Sequence, residues 1–264
     1  MRSLLWSLVG LLVCETVSLA NAADSAQPTP AGITSEANAA LQSMGKTLAA
    51  ANFSFKARTL RVYQDASGDF LHIGHVITIA VRRPDHLAVT ATGDDGVTKL
   101  VYDGKQFSTL DVNSNKYAQI AQTGDLDRMI EDISERIGVD FPLADFVTSD
   151  AAKSFLTGVT SGREIGTANI DGTPYRHFFF TQTGSIELEL WLEKSERSLP
   201  RRFVMTYRAM PGQPNFIAEF SDWDFQTRTS DAQFAFQPPA GSTKVDLASI
   251  KDGGAQAPSA GSKQ

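Results

Sequence analysis

The chain has 264 residues, yet it contains a single cysteine, Cys14, and only four histidines. One thiol excludes an internal disulfide framework and a cysteine-built metal site. The Gly-x-Ser-x-Gly elbow, the phosphate-binding glycine loop, His-Glu-x-x-His and Cys-x-x-Cys are all missing, so no local signature of nucleophile, nucleotide or zinc chemistry is present. Positive charge is also short. Lys plus Arg number 24 against 30 Asp plus Glu, for a net charge of -6 and a pI near 5.2, which leaves no electrostatic footprint for a nucleic-acid backbone. Beyond the first 22 residues no apolar run is long enough to span a bilayer. These absences argue against an enzyme and against nucleic acid as a partner, and neither cofactor nor metal is expected.

What is present begins with Arg2, an apolar run from Leu4 to Val13, and Ala20-Asn21-Ala22. Charge, apolar stretch and A-x-A site together read as a cleaved secretory signal peptide over residues 1–22. Cys14 falls inside it, so the exported chain is expected to lack thiols. A lipoprotein site at Cys14 wants a small preceding residue, and Val13 is not one. Residues 23–34, rich in Ala, Pro, Ser and Gln, read as a flexible leader, and 251–264 as a disordered tail. Residues 35–250 remain as one domain, expected to be monomeric.

The domain opens with a helix signal: Ser35 as N-cap, then Ala37, Leu41, Met44 and Leu48 at helical spacing. From Phe53 to Ile120 the pattern turns to strands. Ile77, Ile79 and Val81 alternate with Thr78, Ala80 and Arg82, and the alternation resumes at Leu87, Val89 and Ala91, as strands with one buried face require. Pro84-Asp85, Gly93 to Gly96 and Asp103-Gly104 supply the turns of an antiparallel meander. Leu126, Met129, Ile130, Ile133 and Ile137 make one amphipathic helix, ended by Gly138. Strands return at Glu164; Ile186, Leu188, Leu190 and Leu192 alternate with Glu187, Glu189, Trp191 and Glu193. Further strands are expected at Arg201 to Arg208, Asn215 to Gln226 and Gln233 to Gln237, for about ten or eleven in all. A sheet of that size with one apolar face must curl around something. The two helices, a bound apolar ligand, or both would fill it.

Rival sites read as ordinary structure. His72 and His75, three apart on a strand, point to opposite faces. Asp111-x-Asn113-x-Asn115 resembles a calcium loop, but Lys116 and Gln122 stand where glycine and glutamate are needed, so a hairpin turn explains it. Asp125, Asp127, Glu131, Asp132 and Glu135 read as a solvated helix face. The informative feature is the apolar face: Phe53, Phe55, Ile77, Ile79, Val81, Phe178, Phe180, Leu188, Leu190, Phe203, Met205 and Tyr207. Arg83 continues it by parity, placing a guanidinium at an apolar rim where it needs an acceptor.

The stretch from Gly74 through Arg82-Arg83-Pro84-Asp85-His86-Leu87, then Leu100-Val101-Tyr102-Asp103-Gly104-Lys105, resembles the LolA family of lipoprotein carriers. So do Leu199-Pro200 and the closing Phe234-Ala235-Phe236-Gln237-Pro238-Pro239-Ala240-Gly241. Tyr102 to Lys105 and Phe141-Pro142-Leu143-Ala144-Asp145 are similar to segments of a family of predicted periplasmic proteins with that fold. The resemblance implies a mainly β fold with a few helices: an open, strongly curved antiparallel half-barrel covered by lid helices. It implies a periplasmic location and an apolar cavity for lipid or lipoprotein acyl chains. Arg83 would gate release, and Leu87 and Val89 would face the cavity with the residues above. The helix with Leu126, Met129, Ile130, Ile133 and Ile137 would be the lid. A membrane-bound periplasmic partner is the further expectation. The alternative is a regulatory or interaction module of the same fold, its apolar face filled by its own helices.

Overall fold

The computed structural model describes residues 30–65, 67–137, 141–226 and 229–247. The signal-peptide reading, Gly138 and the tail lie outside the described residues. Helix α1 (Ser35–Leu48) is followed by β1 (Asn52–Gln64), β2 (Phe70–Arg82), β3 (His86–Gly93), β4 (Gly96–Asp103), β5 (Gln106–Asp111) and β6 (Lys116–Ala121). Helix α2 (Leu126–Ile137), a 3-10 turn (Ala144–Phe146) and helix α3 (Ala151–Leu156) come next. Then follow β7 (Val159–Ile170), β8 (Thr173–Gln182), β9 (Ile186–Glu193), β10 (Pro200–Tyr207), β11 (Asn215–Asp224) and β12 (Thr243–Lys244).

All twelve strands join one sheet, in the order β12-β6-β5-β4-β3-β2-β1-β11-β10-β9-β8-β7. Its pairs are antiparallel except β12 on β6, and its two ends do not pair with each other, so it is not a closed barrel. Laid flat at ~4.8 Å per strand, twelve strands would span roughly 50 Å, whereas the 14 residues of α1 reach only about 21 Å. Yet one core cluster joins side chains of β1–β5 and β8–β11 to those of α1, α2, α3 and the 3-10 turn. Such a core requires the sheet to curl around the helices.

Local chemistry sets the element ends. Thr34, one residue before the expected Ser35, caps α1, its side chain accepting from Ala37 N–H. Asp125 accepts from Arg128 N–H at the start of α2. Asp111 accepts from Asn113 and Ser114 N–H, which makes the Asp111–Asn115 stretch the hairpin turn expected. Residues 30–34 are not a free leader: Ile33 is buried and bridges to Gly162 of β7.

The expected strand at Gln233 to Gln237 does not form. Asp231–Phe234 is a 3-10 turn. Its Phe234 is buried beneath Arg82, 4.8 Å from the guanidinium, and edge-on to His86 at 5.2 Å. Phe236 packs on Tyr117. The alternation of those phenylalanines therefore belongs to a strap whose side chains dock one by one on the sheet, before Thr243–Lys244 pairs with β6.

Candidate functional site

Cross-strand register assembles the apolar face. Phe55 pairs with Ile79 and Ile79 with Val89; Phe53 pairs with Val81 and Val81 with Leu87. On the other wing Phe178 pairs with Leu190 and Leu190 with Phe203; Phe180 pairs with Leu188 and Leu188 with Met205. Phe203–Ala218 and Ala218–Thr59 pairs connect the wings. Because side chains on paired residues share a side of the sheet, every predicted lining residue, with Ile77 and Tyr207, stands on one continuous inner face.

Burial along this face is uneven. Beside Arg83, Phe53, Val81 and Leu87 are buried, as are Phe55 and, on the other wing, Phe178, Phe180, Leu190 and Phe203. Toward the β1–β2 hairpin it fades. Ile77, Val89 and Tyr207 are only partly buried, and Leu71, of the same parity, is 40% exposed.

Two covers meet over the face. The first is the segment from the 3-10 turn through α3, whose elements of three and six residues are too short to carry a helical periodicity. Phe146 lies 4.8 Å from the Phe220 ring and 5.5 Å from Phe203; Phe155 lies 5.1 Å from Phe180 and 6.0 Å from Phe203. Both phenylalanines are fully buried. Behind them α1 approaches α3 so closely at Gly45 that a Cβ there would lie 2.8 Å from the Ala152 methyl. The second cover is α2. Leu126, Met129 and Ile133 enter the core and Ile130 packs against it, while Ile137 is the last residue of the helix. Its start is tied down: Leu126 N–H donates to Pro84 C=O, and the Tyr102 hydroxyl to Gly124 C=O at 2.7 Å. Burial, followed by the carboxylates of Asp85, Asp103, Asp125 and Asp132, pushes the Tyr102 phenol up to about 12.

Arg83 stands where the covers join. Its guanidinium donates to Val147 C=O at 3.0 Å, Thr148 C=O at 2.6 Å and Leu48 C=O at 2.9 Å, and it lies 5.7 Å above the Phe53 ring. The acceptors are thus the end of α1 and the stretch between the 3-10 turn and α3. They are not on α2, the lid helix the resemblance implies. Helix α2 is coupled indirectly, through Asp127, which accepts from the Ser149 N–H and hydroxyl. Arg83 Nε is buried without a partner. Burial lowers the guanidinium's pKa, and the Asp127 charge only partly restores it.

The residues not legible in the sequence are thus Phe146, Phe155 and the carbonyl acceptors of the latch, Leu48, Val147 and Thr148. A Phe-rich stretch after the amphipathic helix was visible; the carbonyl partners of an arginine leave no sequence signal. A separate open groove of about 360 Å³, bordered by Thr47, Arg197, Trp223, Asp224, Phe225 and Gln226, contains none of the predicted residues. Arg197 already covers the Phe225 ring there, at 4.4 Å.

A family model described as "predicted periplasmic protein (DUF2092)" matches residues 37–248. Among solved structures, the chain is similar to lipoprotein LppX of Mycobacterium tuberculosis, at 15% identity over 75% of this chain and 100% of that one, TM-score 0.44. It is similar to a LolA superfamily protein of Nitrosomonas europaea at 12% identity, over 74% and 97%, TM-score 0.38. A third is the MucA/MucB complex of Pseudomonas aeruginosa, at 16% identity over 76% and 61%, TM-score 0.41. No curated protein sequence matches significantly.

Proposed function

The chain belongs to the family of predicted periplasmic proteins whose model spans residues 37–248, and from that premise we propose a periplasmic, non-enzymatic protein that binds lipid or lipoprotein acyl chains and carries them between membranes. The observation that supports this most is one continuous apolar face whose cover is fastened by a single buried-side cation on neutral carbonyls. Carrying an acyl chain through water requires shielding it, with each buried methylene contributing roughly 0.8 kcal/mol. Release requires that something else take the same surface. Phe146 and Phe155 are suited to that role, since they rest on Phe180, Phe203 and Phe220, so that loading and closing become alternative states of one face. Leu71, Ile77, Val89 and Tyr207, left partly bare, extend the face past its cover and offer a chain its first contact.

Substituting Arg83→Leu tests the latch. Three carbonyls lose their donor, so the closed state weakens, and an acyl probe with no charged head is expected to bind faster and dissociate more slowly than from the wild type. A well-folded variant with unchanged uptake and release would remove the gating role. The second reading is an interaction module without cargo. It is favoured by the completeness of burial at the Arg83 end, where the protein's own aromatics fill the face. It expects no probe binding in either protein.

A further inference from the structure

Arg83 combines features that a structural latch alone does not require. It is a full cation on an apolar face, yet all three of its hydrogen-bond acceptors are neutral backbone carbonyls. Among the described residues no carboxylate lies within ion-pair distance of it, although most other arginines of the sheet, such as Arg176, Arg201 and Arg202, have one. Asp127 acts on it only through space, because both its carboxylate oxygens are engaged by Ser149. One donor, Nε, is buried with no acceptor at all. A half-buried guanidinium with a spare donor and no directly paired carboxylate favours a charged acceptor over a neutral one, since hydrogen bonds between ionised partners are roughly twice as strong.

Its position adds the second half of the argument. Arg83 follows Ile77, Ile79 and Val81 on the same face of β2 and its continuation, and Phe53 lies under it. A molecule laid along that row with its apolar part on Ile77 to Val81 would bring its end to the guanidinium.

Resting on the acyl-binding reading, we infer that Arg83 seats the headgroup of the bound amphiphile: a carboxylate or phosphate oxyanion at the end of the chain replaces the Val147, Thr148 and Leu48 carbonyls as its acceptor. Loading then unfastens the cover directly, because the atom group that holds the cargo is the one that held the lid. Cargo with a neutral or cationic head leaves the latch in place and binds weakly. The Nε donor, without a partner when closed, gains one in the loaded state, which suits the side-on, two-bond contact that oxyanions make with guanidinium.

The test compares full-length processed protein with palmitate, lysophosphatidate, hexadecanol and hexadecyltrimethylammonium, each displacing a neutral fluorescent acyl probe. Acetate and inorganic phosphate serve as chainless controls. The wild type is expected to bind the two oxyanion amphiphiles at least tenfold more tightly than the alcohol and the ammonium, and the chainless anions not measurably. The relative affinity of palmitate and lysophosphatidate identifies the headgroup. In Arg83→Gln, which keeps donors for the carbonyls but loses the charge, the preference should fall to within threefold; Arg83→Lys should retain it. Equal affinity for all four amphiphiles in the wild type, or a preference that survives Arg83→Gln, would overturn the headgroup seat while leaving acyl binding intact. Absence of binding by every amphiphile would overturn both. The wild-type comparison alone decides the matter if Arg83→Gln does not fold.

Discussion

Replacing Phe146 by alanine separates a cover that competes with cargo from one that is simply core. Phe146 is fully buried and touches two aromatic rings of the inner face, Phe203 at 5.5 Å and Phe220 at 4.8 Å. Truncating such a phenylalanine costs about 3–5 kcal/mol. The lower end, about 3 kcal/mol, is the conservative figure. If an acyl chain and Phe146 occupy the same surface, that loss falls on the closed state alone. Apparent affinity for the chain then rises by the same factor, about two orders of magnitude at 1.4 kcal/mol per tenfold. Thermal unfolding gives the stability loss, and titration with an environment-sensitive acyl probe gives the affinity. A variant that loses about 3 kcal/mol of stability while its probe affinity stays within threefold of wild type would refute competition between cover and cargo.

Two titrations probe the surroundings of the site. Tyr102 should ionise late, at about 12, because it is buried against four carboxylates and donates to Gly124. The unfolded chain loses this proton near its ordinary value of 10.0, so stability should decline as pH rises from there toward 12; ultraviolet titration should show a late-ionising tyrosine that is absent in Tyr102→Phe. On the inner-face side of the β7–β8 pair, where Glu164 stands opposite Phe178 and Arg176 lies over the Phe178 ring, Arg176 grips both oxygens of Glu164, at 3.1 and 2.7 Å, and holds its carboxyl below the usual range. That contribution, about 1 kcal/mol for a partly exposed pair, is present above the unfolded value and lost as pH falls through the folded one. Melting curves of wild type and Arg176→Met should therefore differ at pH 7 and converge toward pH 3; a constant difference would mean that packing, not charge, is involved.

Strands with one buried face announce themselves by period two, and β2 and β9 were legible from Ile77, Ile79, Val81 and from Ile186 to Leu192. Helix α2 was legible for the matching reason, its apolar residues falling at helical spacing. Register was then implicit, since a one-residue slip would turn Phe55 or Leu188 outward. The same signal misled at Phe234 and Phe236, which alternate as in a strand but bury themselves separately against His86 and Tyr117. The covering segment was harder to read. Its 3-10 turn and six-residue α3 are too short for a periodicity to show, and Asp150, capping Lys153 N–H, is their one local mark. Arg83 was legible as a cation in need of an acceptor. That its acceptors are carbonyls of Leu48, Val147 and Thr148 depends on chain segments 35 and 65 positions away, and backbone oxygens are the same in every residue.

The central claim is that the inner face holds lipid in the periplasm. Its most direct test is denaturing extraction of the protein purified from its native compartment, with mass spectrometry of the small molecules released and a mock purification as control. The account predicts stoichiometric acyl species, enriched in carboxylate or phosphate heads and depleted from Arg83→Gln. A stable protein that yields none, and that also ignores fluorescent acyl probes, would contradict it and leave the interaction module standing.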